Sequence, residues 1–316
     1  MKSLFVAPCL LAICFFGNTV PCFSQTELKA HAAIVHSLAL SKDGKLLASA
    51  GFDKEVKLFD VGEGKITDKK ILTGHTAPVY SVAFTNDGTL LASSSLDKTV
   101  RLWEVATGML KLELKGFTDA VDVVCFSPDQ KIIATGAGNV EKSVRLWNVA
   151  DGKEIKNLGA HGGSVYALAF TSDGKILASS GADNLIKLWD VPGQKLLKDL
   201  KGHELGVTGI AWLTDTTLIS ASQDRTIRQW DTTMGKEIKK SGPTPDDLFG
   251  ISLDSSRKTV ATIGYSGLVS QWDLAGAMPI MSHRIKSPGY AVVISPDGQW
   301  IYSGHDNGTI HATKRK

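Results

Sequence analysis

The sequence predicts an all-β domain of seven tandem repeats over residues 25–316, behind a short apolar leader. One segment, GHTAPVYSVAFTNDGTLLASSSLDKTVRLWEV, recurs with changes along the chain, its clearest copies reaching Phe59, Trp103, Trp147, Trp189, Trp230 and Trp272 at intervals of 44, 44, 42, 41 and 42 residues. Within each copy, runs of five or six residues such as VYSVAF, LLASSS and TVRLW are apolar, small or β-branched and are bounded by turn residues, which is the pattern of strands. A change of composition near residue 24 sets the leader apart.

Residues 1–24 carry one charge, Lys2, and an apolar stretch from Leu4 to Phe16, with small residues up to Ser24. This reads as an export signal cleaved near Ser24 or Gln25. A spanning helix needs about 20 apolar residues, and Gly17, Asn18 and Pro21 interrupt this run. An uncleaved anchor is the alternative, and a lipoprotein site at Cys14 is opposed by the bulky Ile13 before it. Export leads to a periplasmic or extracellular protein with no membrane span after cleavage, expected as a monomer. Cleavage removes Cys9, Cys14 and Cys22 and leaves Cys125 alone, so no internal disulfide can form. Stability must then come from the core, which a chain of this size supplies by burying about three quarters of its surface. Cys125, between Val124 and Phe126, is expected as an inert buried thiol. Without Lys2 there are 34 basic and 32 acidic residues, a net of +2 that gives no electrostatic footprint for nucleic acid. The closing Lys314-Arg315-Lys316 reads as a solvated terminus.

A degenerate seventh copy emerges when Ile294-Ser295-Pro296-Asp297-Gly298 is aligned with Phe84-Thr85-Asn86-Asp87-Gly88, which places Thr313 at the tryptophan position. Tight turns at Asp43-Gly44, Asp87-Gly88, Asp173-Gly174 and Asp297-Gly298 separate the first two strands of their copies, where a hairpin demands positive φ. These pairs lack the D-x-D-x-D-G pattern of a calcium loop. Segments such as KLLKDL and KEIKNL, with alternate lysines, suit an exposed edge strand.

A period of 40 to 45 residues with Gly-His at one end and Trp-Asp at the other resembles the WD-repeat family, across essentially everything after residue 25. The resemblance implies a seven-bladed β-propeller, four antiparallel strands per blade, around a central axis. Gln25-Thr26-Glu27-Leu28-Lys29 precedes Ala30-His31 as KLELKG and LKDLKG precede later repeats, and the last repeat ends after its third strand. The N-terminal strand is therefore expected to complete blade 7 and close the ring.

The resemblance also assigns hydrogen-bonded tetrads: His75, Ser93, Asp97 and Trp103; His161, Ser179, Asp183 and Trp189; His203, Ser220, Asp224 and Trp230. Blade 1 keeps His31, Ser49 and Asp53 but has Phe59. Blade 3 has Phe117 for His and an insertion before Glu141. Blade 6 has Gly242-Pro243-Thr244-Pro245 where Gly-His belongs and Ser266 for Asp, and blade 7 has Asn307 and Thr313. Repetition from blade to blade argues for scaffold over a catalytic triad, which needs one copy beside an oxyanion hole. No H-E-x-x-H, Walker loop or nucleophile elbow occurs. A quinone-binding propeller is opposed by the missing tryptophan at the end of repeats such as DVPGQKLLKDL. His305, Asp306 and His311 are read as surface groups before metal ligands, and the Asn307-Gly308-Thr309 sequon as a turn.

Binding is expected where the first strand of each repeat begins. That position carries His36, Tyr80, Asp122, Tyr166, Thr208, Phe249 and Tyr290, four of the seven aromatic in a chain with 7% aromatics. The residue before each turn aspartate adds Phe52, Leu96 and Tyr265 to the predicted face. These aromatics either receive a partner, or merely pack between blades or line a narrow channel. The reading is a non-catalytic scaffold binding a protein or peptide, with no cofactor and no metal. The alternative is a lactonase-like hydrolase or small-ligand binder, which would bring acidic or histidine groups together in the central channel.

Overall fold

The computed structural model describes residues 25–276 and 279–315, so the leader read in residues 1–24 lies outside it. The described residues form 28 strands in seven four-stranded antiparallel sheets and no helix. Blade 2 is representative: Val79–Phe84, Leu90–Ser95, Val100–Glu104 and Leu110–Leu114 follow one another from the innermost strand to the outermost. The middle two strands are almost wholly buried and the outer strands carry the exposed lysines, as the alternating pattern predicts.

Blades join through apolar seams in which the face of one meets the inner strands of the next. Between blades 1 and 2, Ala48, Val56, Leu58 and Leu72 pack with Val79, Leu91 and Trp103. Trp147, Trp189 and Trp230 fill the next three seams in the same way. At about 25 cal/mol per Å² of apolar surface, such seams supply most of the stability, and the one described cysteine, Cys125, is a free thiol.

Closure follows the expected plan. Gln25–Lys29 pairs antiparallel with Thr309–Lys314, Leu28 opposite Ile310, and forms the outer strand of blade 7. Leu28 packs on a seam built by Val35, Leu47 and Phe59 of blade 1 with Tyr302, Ile310 and Ala312 of blade 7. One sheet thus joins the first and last described strands, which closes the ring.

Blade 7 corrects one expectation. His305 and His311 are not surface groups: both are buried, their rings 4.9 Å apart and edge to face. Blade 7 lacks the tetrad, and its interior polar positions are filled by a second kind of network. His305 Nε2 lies 2.9 Å from Ser303 Oγ, His311 Nε2 lies 3.0 Å from Thr309 Oγ1, and Thr313 Oγ1 lies 3.0 Å from His283 Nε2.

Candidate functional site: the latched blades and the channel mouth

Each complete tetrad is a chain of three hydrogen bonds running inward from the loop to the seam. In blade 2, His75 Nδ1–H donates to Asp97 at 2.7 Å, the Ser93 hydroxyl reaches His75 Nε2 at 2.7 Å, and Trp103 Nε1–H donates to Ser93 Oγ at 2.8 Å. Blades 4 and 5 repeat the arrangement through His161, Ser179, Asp183 and Trp189, and through His203, Ser220, Asp224 and Trp230. Burial pushes the Asp97 carboxyl upward, but donors from His75, Thr99 and the Thr76 amide overcome it and hold the carboxyl well below its usual range. By the same balance Asp183 is held down at about 2. Such a carboxylate latches the loop: it is ionised, saturated with donors and turned away from any open space.

The departures have physical substitutes. In blade 1, His31 keeps Asp53 and Ser49, while Phe59 fills the seam without a donor. Glu55 joins His31 and Asp53 to bring three ligand-type atoms within 4.8 Å, but both ring nitrogens of His31 already have partners. In blade 3, Phe117 takes the histidine's place against Trp147, 4.9 Å between ring centres, and Glu141 accepts from the Thr118 amide and hydroxyl as the aspartate does elsewhere. Trp147 and Trp272 donate to Thr135 and Thr262 in place of serine. In blade 6, Asp246 supplies the carboxylate that Ser266 cannot, accepting from the Ser266 amide.

The seven first-strand residues converge. His36, Tyr80, Asp122, Tyr166, Thr208, Phe249 and Tyr290, one from each blade, line a single cavity of about 320 Å³ at the mouth of the channel. The cause is a β-bulge at every one of these positions. Between Val79 and Ser81, for example, the register with the second strand skips Tyr80, and the same skip falls on the other six. A bulge re-aims the extra residue, so all seven side chains turn to the axis. Neighbours such as Ser37, Ser81 and Val123, and Gln223 of the fifth blade, complete the lining.

Of the remaining residues expected on this face, Phe52 stacks on His36 at 5.3 Å and meets Tyr80 edge-on at 5.4 Å, and Tyr265 lies 6.0 Å from Phe249, more than half exposed. Leu96 is exposed but does not line the cavity.

Besides the tyrosines, whose hydroxyls are raised by burial, two titratable groups face the cavity. Burial pushes Asp122 up to about 7, against a hydrogen bond from Ser164 and with the nearby charge of Asp119 adding to the rise. Burial lowers His36, whose Nδ1–H donates to the Tyr80 carbonyl at 2.7 Å. Deeper in the channel, a smaller cavity of about 170 Å³ is walled by neutral groups such as Leu38, Ile210, Ile251 and Val292. Cys125 is half-buried in the inner strand of blade 3, where burial raises its thiol.

The fold and these latches define a seven-bladed propeller built from Trp-anchored repeats. The chain belongs to the WD-repeat family: the model of the WD domain, G-beta repeat, matches residues 22–60, 67–104, 108–148, 152–190, 194–231 and 283–312. The unmatched stretch holds blade 6, where both the loop histidine and the turn aspartate are missing. The WD repeat-containing protein SL1-17 of Schistosoma mansoni is 51% identical over 39 residues, a match spanning 12% of this chain and 13% of that protein. Propellers of this family are typically protein-interaction scaffolds and are generally not enzymes.

Proposed function

We propose that the protein is a non-catalytic docking platform that receives a protein or peptide on the face around its channel mouth. The observation that carries this reading is the ring of seven bulged residues, four of them aromatic, around one cavity. Aromatic side chains held by the backbone present large contact area at low entropic cost, as binding hot spots do. Tyr166 and Tyr265 are more than a third exposed without being needed in any seam. The tetrad histidines and aspartates are saturated by one another, which supports a structural role over catalysis, and the neutral wall below the mouth supports docking over hydrolysis. The reading includes export as a monomer, on the strength of the apolar, charge-poor residues 1–24.

The test is a phage-displayed random peptide library selected on residues 25–316, with the Tyr80→Ala, Tyr166→Ala, Tyr290→Ala triple variant as counter-target. The expected result is a peptide family that binds the parent and loses at least tenfold in affinity on the variant, whose melting temperature stays within a few degrees of the parent. An unfolded variant means the rings belong to the core. Unchanged binding to a folded variant moves the site elsewhere.

A further inference from the structure

Blade 6 contains a bay beside its tryptophan anchor. In blades 1 to 5 the residue opposite the tetrad serine or threonine, two before the aromatic anchor, is basic: Lys57, Arg101, Arg145, Lys187 and Arg228. In blades 2 and 5 its guanidinium reaches the loop glycine beside the tryptophan. Arg101 Nη1 stands 2.1 Å and the Trp103 ring 3.3 Å from where a Cβ on Gly74 would lie, and Arg228 and Trp230 crowd Gly202 in the same way. The charge is met on the outer strand or by the loop: Arg101 on Glu113 at 3.0 Å, Lys187 on Asp199 at 3.0 Å, Lys57 on the Ala30 carbonyl at 2.7 Å.

In blade 6 this pair is Ser270 and Ser282, whose hydroxyls lie 2.8 Å apart and satisfy each other. The loop glycine is also replaced: Ser241 pairs with Ile227 as Leu72 pairs with Val56, so Pro243 stands at the position of Gly74 and Gly202. A cavity of about 360 Å³ lies beside Trp272, flanked by Pro243, Pro245 and Pro279. That volume falls in the usual size range of small-ligand sites, ~300–1,000 Å³. The outer-strand position filled by buried Leu72, Leu114 and Leu200 in other blades is here His283, opposite Val269, and Arg284 follows it where blades 2 and 4 have Lys115 and Lys201, exposed at the lip of the bay. Among the described residues Arg284 is the single charged residue in the lining. The bay therefore offers apolar walls, an indole, a neutral hydroxyl floor and one guanidinium.

We propose that this bay binds an apolar group bearing a carboxylate, the apolar part seated on Trp272 between the prolines and the carboxylate paired with Arg284. Guanidinium is the group best suited to a planar carboxylate, and its rim position lets the pair form without burying an unpaired charge. The ligand is either a small arylalkyl or alkyl carboxylate or the C-terminal residue of a polypeptide. The bay shares no lining residue with the channel mouth, so the inference stands apart from the docking proposal.

The test uses 3-phenylpropionate, its neutral amide, and a pentapeptide ending in Phe with a free or amidated C-terminus, titrated into residues 25–316 and followed by ligand-observed NMR and calorimetry. Expected are a Kd below about 1 mM for a carboxylate probe, at least a tenfold loss for its amide, and a similar loss with Arg284→Gln. Ser270→Arg with Ser282→Glu, which copies the pair of blade 2 into the bay, should abolish binding while raising or keeping the melting temperature. Tighter binding of the peptide assigns the site to a chain terminus, and tighter binding of 3-phenylpropionate assigns it to a small carboxylate. No binding of either at millimolar concentration, equal binding of acid and amide, or unchanged binding to either variant overturns the proposal.

Discussion

Acidification should loosen the closing blade before any other part of the ring. His305 is fully buried, its Nδ1–H donating to the Ser287 carbonyl at 3.2 Å and its Nε2 accepting from Ser303. Burial first, and then the charge His311 would carry, lower its pKa to about 4 against the opposing Ser287 and Pro288 carbonyls, with His283 adding to the fall. His283 is lowered to about 4 by burial and by His311, and His311 is lowered by burial against the pull of Glu27. In the unfolded chain such histidines titrate near 6.5. The sign follows from proton uptake: below about pH 6.5 the unfolded chain binds protons that the folded blade refuses until about pH 4. Stability present above pH 6.5 is lost across that interval. For His305 alone the window is about 2.5 pH units, or roughly 3.5 kcal/mol at ~1.4 kcal/mol per unit. At about 2–4 °C per kcal/mol this lowers the melting temperature by ~7–14 °C. The tetrad aspartates act in a separate window, because their depressed pKa values preserve their contribution until the pH falls below about 4. The assay is thermal unfolding by circular dichroism in half-unit steps from pH 7 to 4.5, comparing the parent with His305→Gln, an amide that can form both hydrogen bonds without titrating. The variant should show a visibly flatter decline over this range. A variant whose melting temperature falls in parallel with the parent refutes the reasoning.

Two further predictions concern the scaffold. Deleting Gln25 to Lys29 removes a five-residue ladder and the Leu28 contact from the closure; at ~0.5–1.5 kcal/mol per hydrogen bond this should cost several kcal/mol and lower the melting temperature by about 10 °C or more. Unchanged thermal unfolding would reject the closing role of this strand. Asp97→Ala strips the acceptor from the buried His75 Nδ1–H and from the Thr76 amide, a loss of about 2–4 kcal/mol that should destabilise blade 2 and leave docking at the mouth intact. Parent-like stability with lost docking would show that Asp97 contacts the ligand.

Much of the scaffold was legible in order along the chain. The Trp-Asp spacing places each third strand and the Asp-Gly pairs place the first hairpins, as at Gly44 and Gly88, where φ is close to +70°. Blade 6 was legible as irregular, yet its bay was not read, although the signal was present: Ser270 stands where five other repeats have Lys or Arg two residues before the anchor. The blade 7 histidines were misplaced on the surface for a related reason. A degenerate repeat shows what has been lost, while a replacement such as His283 stands in the neighbouring blade, at an outer-strand position where other repeats have Leu72, Leu114 and Leu200.

The channel ring, singled out in the sequence as an aromatic concentration, shows where the two sources of information divide. The repeat aligns Tyr80, Tyr166, Phe249 and Tyr290 because spacing is a property of the chain. Their turn toward the axis is decided by the bulge at each of these positions, where the strand gives up one pairing and departs from simple alternation. The sequence by itself determined strands, repeat number and the closing segment, all set by local chemistry and period, and its resemblance to the WD-repeat family implied the latches. Only the tertiary structure decided which side chains share a cavity, because that depends on curvature and on groups absent from one blade but present in five others.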